Sequence, residues 1–540
     1  MNHIYSQYCS PINKNSIEVK VKVSPDVKSV MLIYGDPHNY IQYEDGVWGW
    51  QKKEIEMRLD QVTRYNKYYS AILIEEKSRF KYTYVIELED GEKIYYGPSG
   101  RLVVDNVADI DNFASFYYPY IHDHEFFKGP SWVKNQVWLQ IYVDRFHNGD
   151  KNNDPEDVLE WGIGEPTGHT FHGGDLRGII DKLDYIKDLG YTGIYLTPIF
   201  LAPTAHKYDT LDYMKIDPIF GTEEELKELV YKAHEKGIKI MLDAVFNHSS
   251  NKHEYFLDIK EKKADSEYLD YYHITNLDPF EYETFANVLG MPKWNTRNPK
   301  VTDYFIKVLN HYIEEFGIDG WRFDVANELD HTFVRQINKN IKTKYPDFYL
   351  LAEIWHDPID WISYDQFDAN MEYELGWIFV KLMNQTLDVD EAIERIADIH
   401  FRTPKTHYSP QFHMINSHDT ARIFNMVGKN KKKAIIALFF LALQKGSVCF
   451  YYGDEYLMEG ENDPFCRRCL PLDISEEDLG IKEIFKKIIE FRKNNLDIIQ
   501  EVSERYINKD NTLVIDYDEL IIEIDPIEDR LLINGKELAL

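Results

Sequence analysis

Eight short apolar runs, each followed by a stretch of helical period, fill the sequence from residue 136 onward. They are QVWLQIYVDRF (136–146), YTGIYLTPIF (191–200), IKIMLDAVFNH (238–248), IDGWRFDVANE (318–328), FYLLAEIWHD (348–357), ISYDQFDANM (362–371), QFHMINSHDT (411–420) and SVCFYYGDE (447–455). A strand apolar on both faces is one that is covered on both faces, as parallel strands are when crossover helices join them. The intervening segments supply those helices. In DLRGIIDKLDYIKDLG, Leu176, Ile179, Ile180, Leu183 and Ile186 share one 3.6-period stripe and Gly190 ends it. TEEELKELVYKAHEKG is acidic at its start and basic near its end, as the helix dipole favours. The sixth connection is the least regular, with helical pattern only in EYELGWIF and EAIERIADIH. Eight such repeats predict an α/β chain built on a (β/α)8 TIM barrel.

The flanks read differently. Residues 16–105 show short alternating segments such as SIEVKVKV and FKYTYVIELEDGEKIYYG, broken by turn signals, which predicts an N-terminal β-sandwich over 1–120. The catalytic barrel is then expected over 121–497. Within it, residues 249–297 are too long for an ordinary loop after the third strand and read as an inserted domain. Residues 498–540 read as a short C-terminal β domain.

Composition narrows the function. With 61 basic and 92 acidic residues the net charge is −31, which repels nucleic acid and anionic membranes and favours neutral or cationic ligands. The 39 Tyr and 10 Trp supply cores and also faces that suit sugar rings. Four cysteines make no disulfide scaffold, and CRRC, with Cys466 and Cys469, lacks the second pair or local His of a metal site. The start of the sequence has no signal-peptide pattern and the longest apolar runs are too short to span a bilayer, so the expected location is the cytoplasm.

Chemistry in such a barrel sits at the carboxyl ends of the strands. There the fourth run carries Arg322 and Asp324, two apart and so on one strand face, and the fifth carries Glu353. The third ends in Asn247 and His248, the seventh in His418 and Asp419. Three carboxylates from separate strands around one mouth are what retaining glycoside hydrolysis requires: one attacks the anomeric carbon while another donates a proton. Asp324, beside a guanidinium, suits the nucleophile. Glu353, within the apolar LLAEIW, suits the acid. Asp419 would hold the sugar as positive charge develops, and His248 and His418 would donate to sugar hydroxyls.

DAVFNH, GWRFDVANE, EIWH and INSHDT match, in order, the motifs of the α-amylase family of glycoside hydrolases, and the chain resembles that family over residues 135–470. The resemblance implies Asp324 as nucleophile, Glu353 as acid/base and Asp419 as transition-state stabiliser, with His248, Arg322 and His418 lining the reacting subsite and His206 and Tyr208 of HKYDTLDY touching the sugar. YETFANVLGMPKWN, VANELDH and YYGDEYLMEGENDPFCRR are similar to the cyclomaltodextrinase, neopullulanase and maltogenic amylase group. That likeness implies Glu328 and His331 on the leaving-group side. It also implies a starch-binding-like N-terminal module, serving either as a lid that makes a homodimer or as an independent glucan-binding module.

The loop HNGDKNNDP offers Asn148, Asp150, Asn153 and Asp154 as hard oxygen ligands, and from spacing alone a polar turn explains it as well. The resemblance implies structural Ca2+ there, completed by Gly173 and Asp175 of HGGDL. Three positions depart from the group: Trp294 where Leu is usual, which implies an altered substrate fit, Cys469 in place of Pro, and a short tail after residue 497. The expected activity is retaining hydrolysis of α-1,4-glucosidic bonds in cyclodextrins, maltooligosaccharides, pullulan or starch. The alternatives are a transglycosylase and a non-catalytic carbohydrate-binding relative, and the intact carboxylate set argues against the second.

Overall fold

The computed structural model describes residues 3–42, 44, 46, 48–102, 114–126 and 129–538. They divide into two compact units, one drawn from 1–128, 385–408 and 503–537, the other from 129–384, 409–502 and 538.

The second unit is a closed parallel barrel of eight strands: β1 Val137–Ile141, β2 Gly193–Leu196, β3 Lys239–Ala244, β4 Gly320–Phe323, β5 Tyr349–Ala352, β6 Ala369–Glu372, β7 Phe412–His413 and β8 Ser447–Tyr451. Seven lie within one of the eight apolar runs, and β6 passes the end of its run by one residue, to Glu372. β8 pairs with β1 and closes the ring. Trp138, Tyr195, Met241, Tyr349, Leu351, Met371 and Phe412 form one buried cluster drawn from six of the eight strands. At about 1.5–3 kcal/mol for each large apolar side chain buried, this interior is a main source of the barrel's stability.

The helices stop where local chemistry requires. Thr222 and Glu225 form a reciprocal capping box at the start of helix Glu223–Glu235. Gly317, at φ 71°, ends helix Pro299–Phe316 in the left-handed conformation that a side chain disfavours, releasing the chain into β4. The stripe from Leu176 to Ile186 is not one helix: it breaks at Lys182 into Leu176–Asp181 and Leu183–Asp188. Periodicity survives the break because both pieces bury the same face.

After β3 the chain runs through helix Glu254–Lys262 and a hairpin of Ile274–Leu277 with Phe280–Tyr282. Trp294 lies at the root of this insertion, fully buried, stacked on Tyr272 with ring centroids 4.1 Å apart and donating its indole N–H to Tyr213 at 3.1 Å. Its bulk packs the insertion's core, and it does not line the cleft described below.

In the first unit, strands 9–13, 16–23, 67–74 and 58–62 make one antiparallel sheet, and 100–102, 93–97, 80–88, 27–35 and 53–56 a second, with 116–118 added to the strand 80–88. Their shared core includes Ile17, Val19, Val21, Leu32, Tyr82 and Tyr84. Strand Ser16–Val23 nevertheless buries Glu18 and Lys20 on its other face. Lys20 donates to the carbonyls of Phe401 and Thr403, so helix Val389–Arg402 of the same unit covers that face. Five antiparallel strands from Arg505 to Glu537 complete the unit, and Gln61 reads both backbone groups of Tyr506 with its side-chain amide.

Candidate active site

One guanidinium organises the carboxyl end of the barrel. Arg322 on β4 is fully buried, and β3–β4 pairing sets it beside Asp243 in register. Its Nη1 donates to both Asp243 oxygens at 2.9 Å and to Asp324 Oδ1 at 2.8 Å. Its Nη2 lies 2.7 Å from Glu353 Oε2. Three carboxylates from β3, the end of β4 and the end of β5 thus share one positive charge.

That arithmetic shapes their ionisation. Burial pushes the Asp243 carboxyl up to about 6 despite Arg322. Burial likewise raises Asp324 well above the usual carboxylate range, with Arg322 opposing and the charges of Glu353, Asp243 and Asp419 adding to the rise. Glu353 does not occupy the apolar setting its sequence context suggests. Its Oε2 accepts the backbone N–H of Val325 at 3.0 Å and its Oε1 the indole N–H of Trp355 at 2.9 Å. LLAEIW is apolar because it packs the barrel on both sides, while the glutamate itself emerges among donors.

Val325 has φ 46°, a left-handed conformation rare for a β-branched residue. Such strain costs about 1–3 kcal/mol and clusters at functional positions. Here it turns the chain directly after Asp324 and aims the Val325 N–H at Glu353.

Behind these carboxylates runs a chain of hydrogen bonds. The Gln140 amide meets His418 Nδ1 at 2.7 Å, His418 Nε2 meets the Tyr208 hydroxyl, and Tyr208 donates to Asp243 at 3.0 Å. Burial, with Arg467 and Arg322 nearby, pushes His418 well below the usual imidazole range, so the ring is neutral. A neutral ring that accepts from the Gln140 amide carries its proton on Nε2 and donates it to Tyr208.

A cleft of about 580 Å³ opens over the cluster, lined by Asp324, Glu353 and Asp419 together with His206, Tyr208, His248 and Glu328. Asp419 is held by Arg467, whose Nη2 donates to its Oδ1 at 3.2 Å and whose Nε donates to the His418 carbonyl at 2.8 Å. His248 stacks on Phe285 at 4.8 Å, and burial lowers it to about 3. Its Nδ1 lies 3.5 Å from the Asn247 amide nitrogen, and its Nε2 is buried with no partner among the described residues. Glu328 accepts from Asn247 at 3.0 Å and Lys293 at 3.1 Å.

Two expected contacts lie elsewhere. His418 has no exposed surface and both ring nitrogens are engaged, so it stands behind Tyr208 and not in the cleft. His331 bonds Gln366 at 2.6 Å and stacks on Trp361 at 3.9 Å, away from the residues that line the opening. Sequence reading passed over three participants: Asp243, Arg467 and Asp463, the last paired with Arg467 at 2.8 Å. The signal for Asp243 was present, since it sits on β3 level with Arg322. Arg467 lies 48 residues beyond Asp419 in an irregular segment, and nothing local announces that contact.

In the loop after β1, Asn148 Nδ2 donates to Asp154 at 2.7 Å, and Asp175 accepts from the backbone of Gly149, Asp150 and Gly178 and from Asn153. The side-chain oxygens of Asn148 and Asn153 are buried and lack any donor. Gly173 has room for no side chain there: a Cβ would meet Asp154 Oδ1 at 2.1 Å. Asp150 turns its own Oδ1 to Asn152, unlike the other acidic members of the loop. Among the described residues no group of three His, Cys, Asp or Glu is placed to hold a metal ion, so any cation here would need amide and backbone oxygens beside the carboxylates of Asp154 and Asp175.

A parallel barrel whose mouth gathers acidic side chains over an open cleft is the architecture of a glycoside hydrolase. Residues 140–511 match the alpha amylase catalytic domain, and residues 2–122 the alpha amylase N-terminal ig-like domain. A cyclomaltodextrinase of Geobacillus thermopakistaniensis is 41% identical over 476 residues, 87% of this chain and 79% of that protein. An intracellular maltogenic amylase of Bacillus subtilis is 37% identical over 490 residues, 90% of this chain and 82% of that one. A solved cyclomaltodextrinase structure superposes with a TM-score of 0.87 at 32% identity, covering 99% of this chain and 90% of the other. The chain belongs to the α-amylase family of glycoside hydrolases.

Proposed function

We propose that the protein hydrolyses α-1,4-glucosidic bonds of cyclodextrins and maltooligosaccharides, and of pullulan or starch, with retention of the α configuration. The observation that carries this reading is the single Arg322 guanidinium touching both Asp324 and Glu353. It ties both carboxyl groups to one guanidinium, an arrangement that suits a nucleophile and its acid partner on either side of one glycosidic bond.

In the first step Asp324 attacks the anomeric carbon. Its Oδ1 is bonded to Arg322, so Oδ2 is the attacking oxygen. The glycosidic C–O bond breaks as Glu353 passes its proton to the leaving oxygen. In the second step water adds to the same carbon, Glu353 takes the water's proton, and Asp324 leaves as carboxylate. Asp419, tethered by Arg467, faces the positive charge that develops on the ring. Proton NMR of the first product formed from maltotriose should show the α anomer, and an initial β anomer rules out this mechanism. Another sugar in place of water gives transfer, which product analysis on β-cyclodextrin, pullulan and soluble starch in parallel measures.

Three further readings accompany this one. Calcium fits the loop after β1, where the orphaned oxygens of Asn148 and Asn153, the carboxylates of Asp154 and Asp175 and the Gly173 backbone form a cradle of hard oxygen donors. Its contribution would be to brace that loop. The exposed Trp48, Ile72 and Ile74 of the N-terminal sandwich favour a homodimer, and light scattering of the intact chain should give about twice 64.0 kDa. Among the described residues no helix is long and apolar enough to cross a membrane. With a Bacillus subtilis relative named intracellular, the cytoplasm is the proposed location.

A further inference from the structure

The segment Asp463–Cys469 has two faces. Asp463 and Arg467 line the catalytic cleft, whereas Phe465, Arg468 and Cys469 line a separate cavity of about 620 Å³. Its other walls come from the glycine loop around Gly162 and Gly164, from His172, and from Asn425 and Lys429. That volume falls in the range of sites that enclose a small ligand, about 300–1,000 Å³.

Its lining is built for a neutral hydroxylated ring. Phe465 leaves 39% of its surface exposed, an unusual fraction for a phenyl group in a recess. Arg468 is exposed and, among the described residues, makes no side-chain hydrogen bond or ion pair, so its donors are unclaimed. His172 is only 3% exposed and lines the cavity, with its Nδ1 3.3 Å from the Glu160 carbonyl. With Nδ1–H donating to the Glu160 carbonyl, Nε2 is the ring nitrogen left for a ligand hydroxyl. Both other cations of the lining are already paired, Lys429 with Glu459 at 2.5 Å and Arg145 with Asp144, and Glu461 accepts from Asn425 at 2.7 Å. With Glu165 and Glu461 among its walls, on a protein of net charge −31, the site does not favour phosphates or other anions.

We propose that this cavity is a second saccharide-binding site, taking a neutral pyranose oligosaccharide with one ring against Phe465 and its hydroxyls shared between Arg468 and His172. The inference rests on the α-glucan reading above and adds a site outside the catalytic cleft. Binding here would hold one end of a long glucan while another segment reaches Asp324, so it favours long chains over short ones.

Maltotriose titrated calorimetrically into the Glu353→Gln protein, where glucan turnover is slowed by about 10²–10⁴-fold, tests it. Two molar equivalents per chain are expected, falling to one when Phe465→Ala is added. Arg468→Ala, whose free side chain supports nothing else, should weaken the same equivalent at least five-fold. In the otherwise native enzyme both substitutions should leave kcat/KM on a short chromogenic maltoside within two-fold and raise KM for soluble starch. One equivalent in every protein, or two that neither substitution alters, overturns the second site and leaves the catalytic reading intact. No binding to any of them overturns both.

Discussion

Asp324 and Glu353 are chemically similar and become different through their neighbours. Asp324 gives one oxygen to Arg322 and keeps the other for attack, while Glu353 is held by the Val325 and Trp355 N–H groups. Asp324→Asn should leave less than a hundredth of native turnover with an unchanged circular dichroism spectrum, because the amide is no nucleophile. Glu353→Gln should cost about 10²–10⁴-fold on glucans, and markedly less on aryl glycosides whose leaving groups need no proton. The pH profile follows from crowding. The nucleophile must be ionised, and burial with three other carboxylates raises its pKa, so kcat/KM should fall on acidification at a pH above the ordinary aspartate range of about 3.9. Asp243→Asn removes one of those negative charges and should move that limb to lower pH, whatever it does to the maximum rate. An unmoved limb would mean that Asp324 does not set it.

The strands and loops show why these side chains arrive together. In-register pairing of β3 with β4 sets Asp243 against Arg322, and the strained turn at Val325 carries the chain toward Glu353. The four ordered motifs were legible because strand alternation and strand-end placement are local properties. Arg467 was not, since its contact with Asp419 depends on how the chain after β8 returns over the mouth. His331 shows the converse: its motif predicts a sugar contact, yet local packing against Trp361 takes the ring elsewhere. The loop after β1 yields its own expectation. If calcium fills the cradle, chelation should lower the melting temperature through loss of mass-action stabilisation, and Asn148→Ala should remove the response. A melting curve indifferent to chelator would exclude the ion from this loop.

Across the whole chain, folding joins segments that the sequence keeps far apart. Helix Val389–Arg402 lies between β6 and β7 in order, yet it belongs to the compact unit of the N-terminal sheets. Glu394 of that helix accepts from Thr63, Asn66 and Tyr68 and pairs with Lys22. Glu394→Ala leaves several partly buried donors without an acceptor and should lower stability by about 1–3 kcal/mol in urea unfolding, given the cost of unsatisfied polar groups. Fold class, the strand-end carboxylates and the β character of both termini followed from periodicities that a strand or helix imposes on its own residues. The shared guanidinium, the neutral His418 behind Tyr208, the grip of Arg467 on Asp419 and the burial of Trp294 did not. Each is a contact between residues distant in sequence, fixed by barrel closure and packing, and no pattern along the chain encodes which distant partner a side chain meets.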